Sequence, residues 1–304
     1  YPRGYASALV GCSSVLALLI PPSIPMIIFA LTGGLSVAAA FLSTIIPGIV
    51  IALIYCLINY IYLRKSDNVQ VEEKISLPER SRVIAKASKE ASWAILMPVI
   101  MLGGIYGGIF TPTEAAAVAL VYTLPVGFLI YRGLNLQTAM TAIIRGAVST
   151  GSIIAMIFFL FVMSRVMIME QVPQQLSDFL ISLSDNKIII LLLINLLLIL
   201  IGMLVDDVSG SILASIILLP VAMDLGVHPI HFAAIVGTNL GLGNITPPCA
   251  PLLYMAGSVG NAQFNEYLKP TLRFICLGHL PVVLAVTFIP DLALFLPRLL
   301  MGIE

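Results

Sequence analysis

Two adjacent carboxylates, Asp206 and Asp207, stand between apolar runs that carry almost no other charge. Ile188 to Met203 precedes them and Ile212 to Met223 follows. Each aspartate at the centre of a membrane helix costs about 2.5 to 3.5 kcal/mol, so a buried pair needs a bound cation, polar neighbours or protonation to offset it. Sodium meets that need. A plain surface turn after a complete span is the competing structural reading, and an intramembrane enzyme using the Asp206-Asp207 pair is the competing chemical one. Membrane prenyl transferases hold a metal on aspartate clusters, and membrane proteases face one aspartate with another from a separate helix. This chain has no second Asp-rich motif, and neighbours on one segment cannot form a facing dyad, so the expectation is not an enzyme.

The spacing around the pair is informative. As a helix, Ile212 to Met223 would extend only about 18 Å, against an apolar bilayer core of about 30 Å. The sequence therefore predicts a discontinuous element whose unwound centre, Asp206 to Ser211, lies at membrane depth. Irregular backbone is tolerated there only where it lines a cavity or is covered by neighbours. A second interruption follows: Phe232 to Ile245 runs into Thr246-Pro247-Pro248-Cys249-Ala250-Pro251. Each proline removes a donor and crowds the preceding turn, so this helix also breaks.

The opening of the chain supplies a partner for that break. Gly11-Cys12-Ser13-Ser14-Val15-Leu16-Ala17-Leu18-Leu19-Ile20-Pro21-Pro22-Ser23 aligns without gaps on Gly237 through Cys249, with glycine, leucine and both prolines coinciding. A repeated, Pro-interrupted membrane segment points to a secondary transporter whose site forms between the repeats. Freed carbonyls at such breaks can coordinate a hard cation, and half-helix N-termini can face an anionic substrate. Asp206, Asp207, Ser209, Asn239, Ser13 and Ser14 are the candidates for shaping the ion and substrate cavity, although Ser13 and Ser14 could equally bond their own helix. His228 and His231 lack the spacing of a metalloprotease. No metal other than sodium is expected, and no cofactor.

The elements that must position these residues are helices in a bilayer. Of 304 residues, 60% are hydrophobic and only 10% charged, and the mean hydropathy is +1.08, which excludes a soluble globule. Fifteen basic residues balance fifteen acidic ones, so nothing invites a nucleic-acid partner. The cysteines at 12, 56, 249 and 276 are scattered and read as small hydrophobes. The chain opens on Tyr1 without a signal-peptide pattern, as expected of a fragment truncated at its N-terminus. About eight to ten membrane segments follow from the pattern of apolar runs.

Leu35 to Leu63 ends in Tyr55, Tyr60 and Tyr62 and then Arg64 and Lys65, an aromatic belt with a cationic anchor. Arg64 to Glu90 holds 12 of the 30 charges, seven of them basic, which puts this stretch on the cytoplasmic side. The expected organisation is the C-terminal part of a first repeat over 1–63, a charged linker and amphipathic arm over 64–92, and a second repeat over 93–304 with a re-entrant hairpin and two interrupted segments. In the arm, Pro78 to Ser92, alternating charge suggests a surface helix, with Trp93 marking re-entry. The glycines at 103, 104, 107 and 108 would let another helix approach. Thr111-Pro112-Thr113-Glu114 predicts a helix start with a capping box. Ser164 to Ser184 reads as a re-entrant hairpin or an interfacial helix.

Leu19 through Ser23, Gly104 through Ala117, Gly202-Met203 with Asp206, Pro229-Ile230-His231-Phe232 and Asn239 through Pro248 together resemble the large membrane subunit, DctM/SiaM type, of tripartite ATP-independent periplasmic (TRAP) transporters. The run from Thr111 to Ala117 is the most specific. The resemblance implies an all-α polytopic membrane protein with an inverted-repeat, ion-transporter-like elevator fold, discontinuous helices and re-entrant hairpins. It also implies a bacterial inner-membrane location, coupling to sodium, a small membrane subunit of DctQ/SiaQ type, and a periplasmic DctP/SiaP-type binding protein. The substrate would be an organic acid, either a C4-dicarboxylate or a sialic-acid-like molecule. Carried onto this chain, the second-repeat sodium site uses Gly202, Gly243 and Thr246, with Cys249 as a further candidate. The first-repeat site uses Ala17, Ile20 and Pro22, where Ala17 replaces the family's usual glycine. The Asp206-Asp207 doublet also departs from the commoner Asp-Pro.

Overall fold

The computed structural model describes residues 1–64, 76–184 and 186–302 and is helical with no strand among them. In chain order the helices are α1 (Arg3–Ser13), α2 (Leu16–Leu19), α3 (Ile24–Thr32), α4 (Val37–Leu63), α5 (Leu77–Tyr106), α6 (Pro112–Pro125), α7 (Leu136–Met169) and α8 (Val172–Leu183). There follow α9 (Lys187–Leu204), α10 (Asp207–Leu213), α11 (Leu219–Asp224), α12 (Pro229–Ile245), α13 (Pro251–Val259), α14 (Phe264–Phe274), α15 (Leu280–Phe288) and α16 (Asp291–Met301). Single π turns, Val126–Ile130, Ala214–Leu218 and Ile275–His279, continue α6, join α10 to α11 and join α14 to α15. Seven helical stretches among the described residues are long and apolar enough to cross a bilayer, so the chain is a multi-pass α-helical membrane protein.

The chain divides into two compact units, one from residues 1–69 with 159–304 and the other from 70–158. The second unit contains a helical hairpin of α5 against α6. Thr111 caps α6: its hydroxyl accepts the Glu114 N–H at 3.3 Å, and the Glu114 carboxylate accepts the Thr111 N–H at 2.8 Å. This is the reciprocal box expected from the sequence. Tyr122 and Tyr131 donate to the backbone carbonyls of Trp93 and Glu90, each at 2.7 Å, and tie the two helices together.

Two expectations for this stretch change. The arm over Pro78 to Ser92 and the span after Trp93 are one helix, α5, because no proline or glycine falls between Pro78 and Pro98 to break it. Two of the glycines near its end serve the turn: Gly104 is covered by the Phe110 ring, and Gly108 takes φ +68°, a left-handed conformation that glycine adopts at no steric cost, while Gly103 faces open space. The part of the charged linker over 65–75 lies outside the described residues.

The first unit is organised around α12. This helix is buried along its length, Ile230 through Ile245, with Phe232, Thr238 and Asn239 at 0% exposure. A helix that is apolar all round is a core helix, and α12 has α4, α9, α15 and the first-repeat segments packed around it. Ser164 to Ser184 resolves into the end of α7, a turn at Glu170 and Gln171, and the separate twelve-residue α8.

Candidate functional site

The site is built from backbone interruptions and the glycines that let them meet. In the first repeat, α2 stops at Leu19, the Pro21–Pro22 bond is cis, and α3 starts at Ile24. In the second repeat, α12 stops at Ile245, the Pro247–Pro248 bond is cis, and α13 starts at Pro251. The two segments thus share the helix end and the cis proline pair, while α1 and α2 are separated at Ser14–Val15 where α12 is continuous. Carbonyls at both breaks are taken up locally. Leu18 O accepts from the Ser23 hydroxyl at 2.7 Å, and Leu19 O accepts from Thr44 of α4 at 2.6 Å. Thr246 donates its N–H to Gly243 O at 3.0 Å and its hydroxyl to Leu242 O at 2.6 Å. A carbonyl with one such bond keeps a second lone pair that a cation can use.

Glycines on α12 set the approach of both neighbours. Gly237 and Gly241, one turn apart, open a groove on α12. A Cβ at Gly237 would lie 3.2 Å from the Leu19 side chain, and one at Gly241 would collide with Val15. On another face, a Cβ at Gly243 would stand 2.5 Å from the Gly202 carbonyl carbon and 2.7 Å from Ile199 O, and one at Gly202 would stand 2.7 Å from Leu240 O. Small residues of this kind let helix backbones touch inside a membrane. The first-repeat break and the end of α9 thus both reach α12.

The backbone around the aspartates differs from the expectation. Asp206 is the N-cap of α10: its carboxylate accepts the Val208 N–H at 3.0 Å and the Ser209 N–H at 3.1 Å, and the Ser209 hydroxyl donates to its other oxygen. That cap pulls Asp207 to Ser211 into helix, so the unwound centre predicted over Asp206 to Ser211 contracts to Val205 and Asp206. Continued by the π turn and α11, the segment Asp207–Asp224 is 18 residues long, more than the short piece inferred from its apolar run. Asp207 turns the other way and accepts a hydrogen bond from the Asn244 amide at the end of α12.

Gly202, Gly243, Asn244, Thr246 and Asp207 are consequently grouped where α9 and α12 end and α10 begins. Cys249, in the loop after the second proline pair, is exposed, as are Ala17, Ile20 and Pro22 of the first repeat. Ser13 is half-buried. Ser14 donates to Gly11 O at 2.7 Å, within its own helix, and lines an apolar cavity of about 320 Å³ between α1 and α13.

Asn239 sits elsewhere. Fully buried, it donates to Asn195 Oδ1 on α9 at 3.0 Å and to Ile235 O at 2.8 Å, and Asn195 donates to the Thr287 hydroxyl on α15 at 2.9 Å. These three residues join α9, α12 and α15 in a polar cluster inside the apolar core. A second chain runs from α4: the Nε2–H of buried His279 donates to Thr238 O at 2.9 Å, because a carbonyl can only accept, and Nδ1 then accepts the Tyr55 hydroxyl at 3.2 Å. His231, within α12, pairs with Val286 O at 2.7 Å, while His228 caps α12 by accepting the Ile230 N–H at 3.1 Å.

Asn195, Asn244, His279 and Thr287 had no place in the sequence-based site. A lone asparagine in the middle of Ile188 to Met203 was the available signal, since polar residues at that depth pair or serve a site. Replacing Asn195 with leucine is expected to destabilise the fold by about 1–3 kcal/mol, because Asn239 loses its acceptor where no water can reach. A fall in the detergent thermal midpoint measures this, and an unchanged midpoint would remove the cluster from the account.

A family model described as "Tripartite ATP-independent periplasmic transporter, DctM component" matches residues 1–292. The chain belongs to this family. Among its relatives, the sialic acid TRAP transporter large permease protein SiaM of Vibrio cholerae is 34% identical over 99% of this chain and 69% of its own length. The C4-dicarboxylate TRAP transporter large permease protein DctM of Pseudomonas aeruginosa is 31% identical over 98% of the chain and 68% of its own. The isethionate TRAP transporter permease protein DctMQ of Oleidesulfovibrio alaskensis is 33% identical over 97% of the chain. The chain spans 46% of that last protein and about two thirds of the other two.

Proposed function

We propose that this DctM-family chain forms part of a sodium-coupled importer of an organic acid in a bacterial inner membrane. The observation that carries the reading is that the first Pro-interrupted segment and the end of α9 both pack on α12, which itself runs into the second Pro-Pro break. Broken helices at the interface of repeats are how secondary transporters expose carbonyls and helix ends to ions and substrates. The second-repeat ion site is assigned to Gly202, Gly243 and Thr246, with Cys249 as a further candidate. The first-repeat site is assigned to Ala17, Ile20 and Pro22. Asp207 and Asn244 border the second-repeat site, and Asp206 and Ser209 hold the start of α10 in place.

The names of the relatives point to acids of different shapes: a sialic acid, C4-dicarboxylates and isethionate. The common element is a small organic anion, which a periplasmic binding protein would deliver and a small membrane subunit would help to receive. The isethionate relative, named as a joined M and Q protein, fits such a partner. The motion proposed is an elevator movement of the helices around the two breaks against a fixed frame.

Uptake in proteoliposomes tests the proposal, with the whole large subunit, its small subunit and its binding protein present. Accumulation of the labelled acid is expected only with inward sodium and the cognate binding protein. Equal uptake with potassium in place of sodium would refute the coupling. Turnover of a lipid or peptide by the purified protein without any ion gradient would favour the enzyme alternative built on Asp206 and Asp207.

A further inference from the structure

We infer that the end of the first unit where α1 and α14 begin and α4 finishes holds the headgroup of an anionic phospholipid. The inference does not depend on the transport reading. Gly4 lets α1 cross α14 at backbone contact, since a Cβ there would lie 2.6 Å from the backbone of Glu266. That crossing places Arg3 and Tyr5 beside the first turns of α14, in a cavity of about 560 Å³ that Tyr62, Gln263 and Glu266 also line. On α14, Lys269 and Arg273 continue the stripe that Glu266 begins, at helical spacings of three and four residues.

Two donors at this place have no acceptor. The Tyr5 hydroxyl and Arg273 Nη1 are both buried and make no hydrogen bond. Tyr5 stacks on Tyr62 with ring centroids 5.0 Å apart, and the Arg273 guanidinium lies 4.5 Å from the centroid of the same Tyr62 ring. The unmet donors therefore share one aromatic neighbour. Among the described residues neither Arg3, Lys269 nor Arg273 forms an ion pair, while the carboxylate of Glu266 is engaged by the Gln263 N–H at 3.1 Å. Three cations, one of them Arg273 with its orphaned N–H, together with the orphaned Tyr5 hydroxyl call for an anion with several acceptor oxygens, and a buried donor left unpaired is costly.

The position selects a lipid as the source of that anion. Tyr60 and Tyr62 are exposed at the end of α4, with Arg64 over the Tyr60 ring at 5.8 Å, the arrangement of a helix end at headgroup level. Ile61 and Leu272, next in sequence to Tyr62 and Arg273, are exposed apolar residues against which acyl chains can lie. The basic stretch that starts at Arg64 places this end in the cytoplasmic leaflet, where anionic lipids face basic pockets between helices.

The test combines native mass spectrometry with thermal unfolding of the full-length protein in detergent, with phosphatidylglycerol, phosphatidylcholine or inorganic phosphate added. Phosphatidylglycerol is expected to remain bound and to raise the thermal midpoint, and the other two are not. Arg3→Gln and Arg273→Gln should each weaken phosphatidylglycerol about fivefold, as expected for one basic side chain at a membrane surface, while Arg273→Lys keeps most of the binding. Arg3 is exposed, so Arg3→Gln gives a reading even if Arg273→Gln does not fold. Wild-type phosphatidylglycerol binding by Arg3→Gln, equal stabilisation by phosphatidylcholine, or stabilisation by inorganic phosphate alone would each overturn the inference.

Discussion

Gly243→Val is expected to leave almost no folded, monodisperse protein. The first carbon of the new side chain would stand 2.5 Å from the Gly202 carbonyl carbon, 2.6 Å from its Cα and 2.7 Å from Ile199 O. All three are backbone atoms of α9, so no rotamer change on the neighbour makes room. Overpacking usually costs about 1–3 kcal/mol and more where the surroundings cannot give, and valine adds two methyl groups beyond the first clash. A loss of more than about 3 kcal/mol is a large part of the stability of an ordinary domain. Even Gly243→Ala should be damaging, because the clash already involves Cβ.

Gly146 of α7 provides the control. A Cβ there meets nothing within 4 Å, so Gly146→Ala should stabilise its helix by about 0.5–1 kcal/mol through reduced backbone freedom in the unfolded chain. Size-exclusion profiles and detergent melts of both variants decide the matter. A Gly243→Ala protein as stable as wild type would mean that α9 and α12 are not in backbone contact.

That contact could not be read from the sequence, although both glycines could. Hydropathy and proline placement locate the breaks at Pro21–Pro22 and Pro247–Pro248 because the physics there is local: a proline ends a helix whatever surrounds it. The Thr111 cap is legible for the same reason. Which face of α12 each glycine occupies, and what packs there, depends on the packing of other segments. Gly237 and Gly241 are at helical spacing and could have been read as a groove, but nothing in the sequence says that Leu19 and Val15 fill it.

The cap made by Asp206 is hidden for a different cause. A carboxylate between apolar runs has two ways to be stable, as a ligand or as a cap, and composition weighs only the first. The two backbone N–H groups it accepts here show the second. Asn239 shows another limit: nothing in the sequence says that its amide donates to Asn195, 44 positions away, inside the buried cluster.

Because the two aspartates differ in role, the same substitution should have unequal consequences at adjacent positions. Asparagine caps a helix about as well as aspartate, so Asp206→Asn should leave the thermal midpoint and sodium-driven uptake near wild type. Asp207→Asn replaces the acceptor of the Asn244 amide with a neutral group that can also turn a donor toward it. It also removes the negative charge beside Gly202, Gly243 and Thr246. A hydrogen bond to a charged group contributes about 1.5–3 kcal/mol, so losing it at the proposed cation site is expected to lower the initial uptake rate about tenfold or more.

Asn244→Asp separates structure from charge. It puts two carboxylates together, which repel without a cation between them. Its thermal midpoint should therefore rise more steeply with added sodium than that of the wild-type protein. The measurements are initial rates per reconstituted transporter and detergent melts across a sodium series. Wild-type uptake by Asp207→Asn would reduce the Asp207–Asn244 pair to a structural tie, and equal losses at both aspartates would mean that Asp206 does more than cap α10.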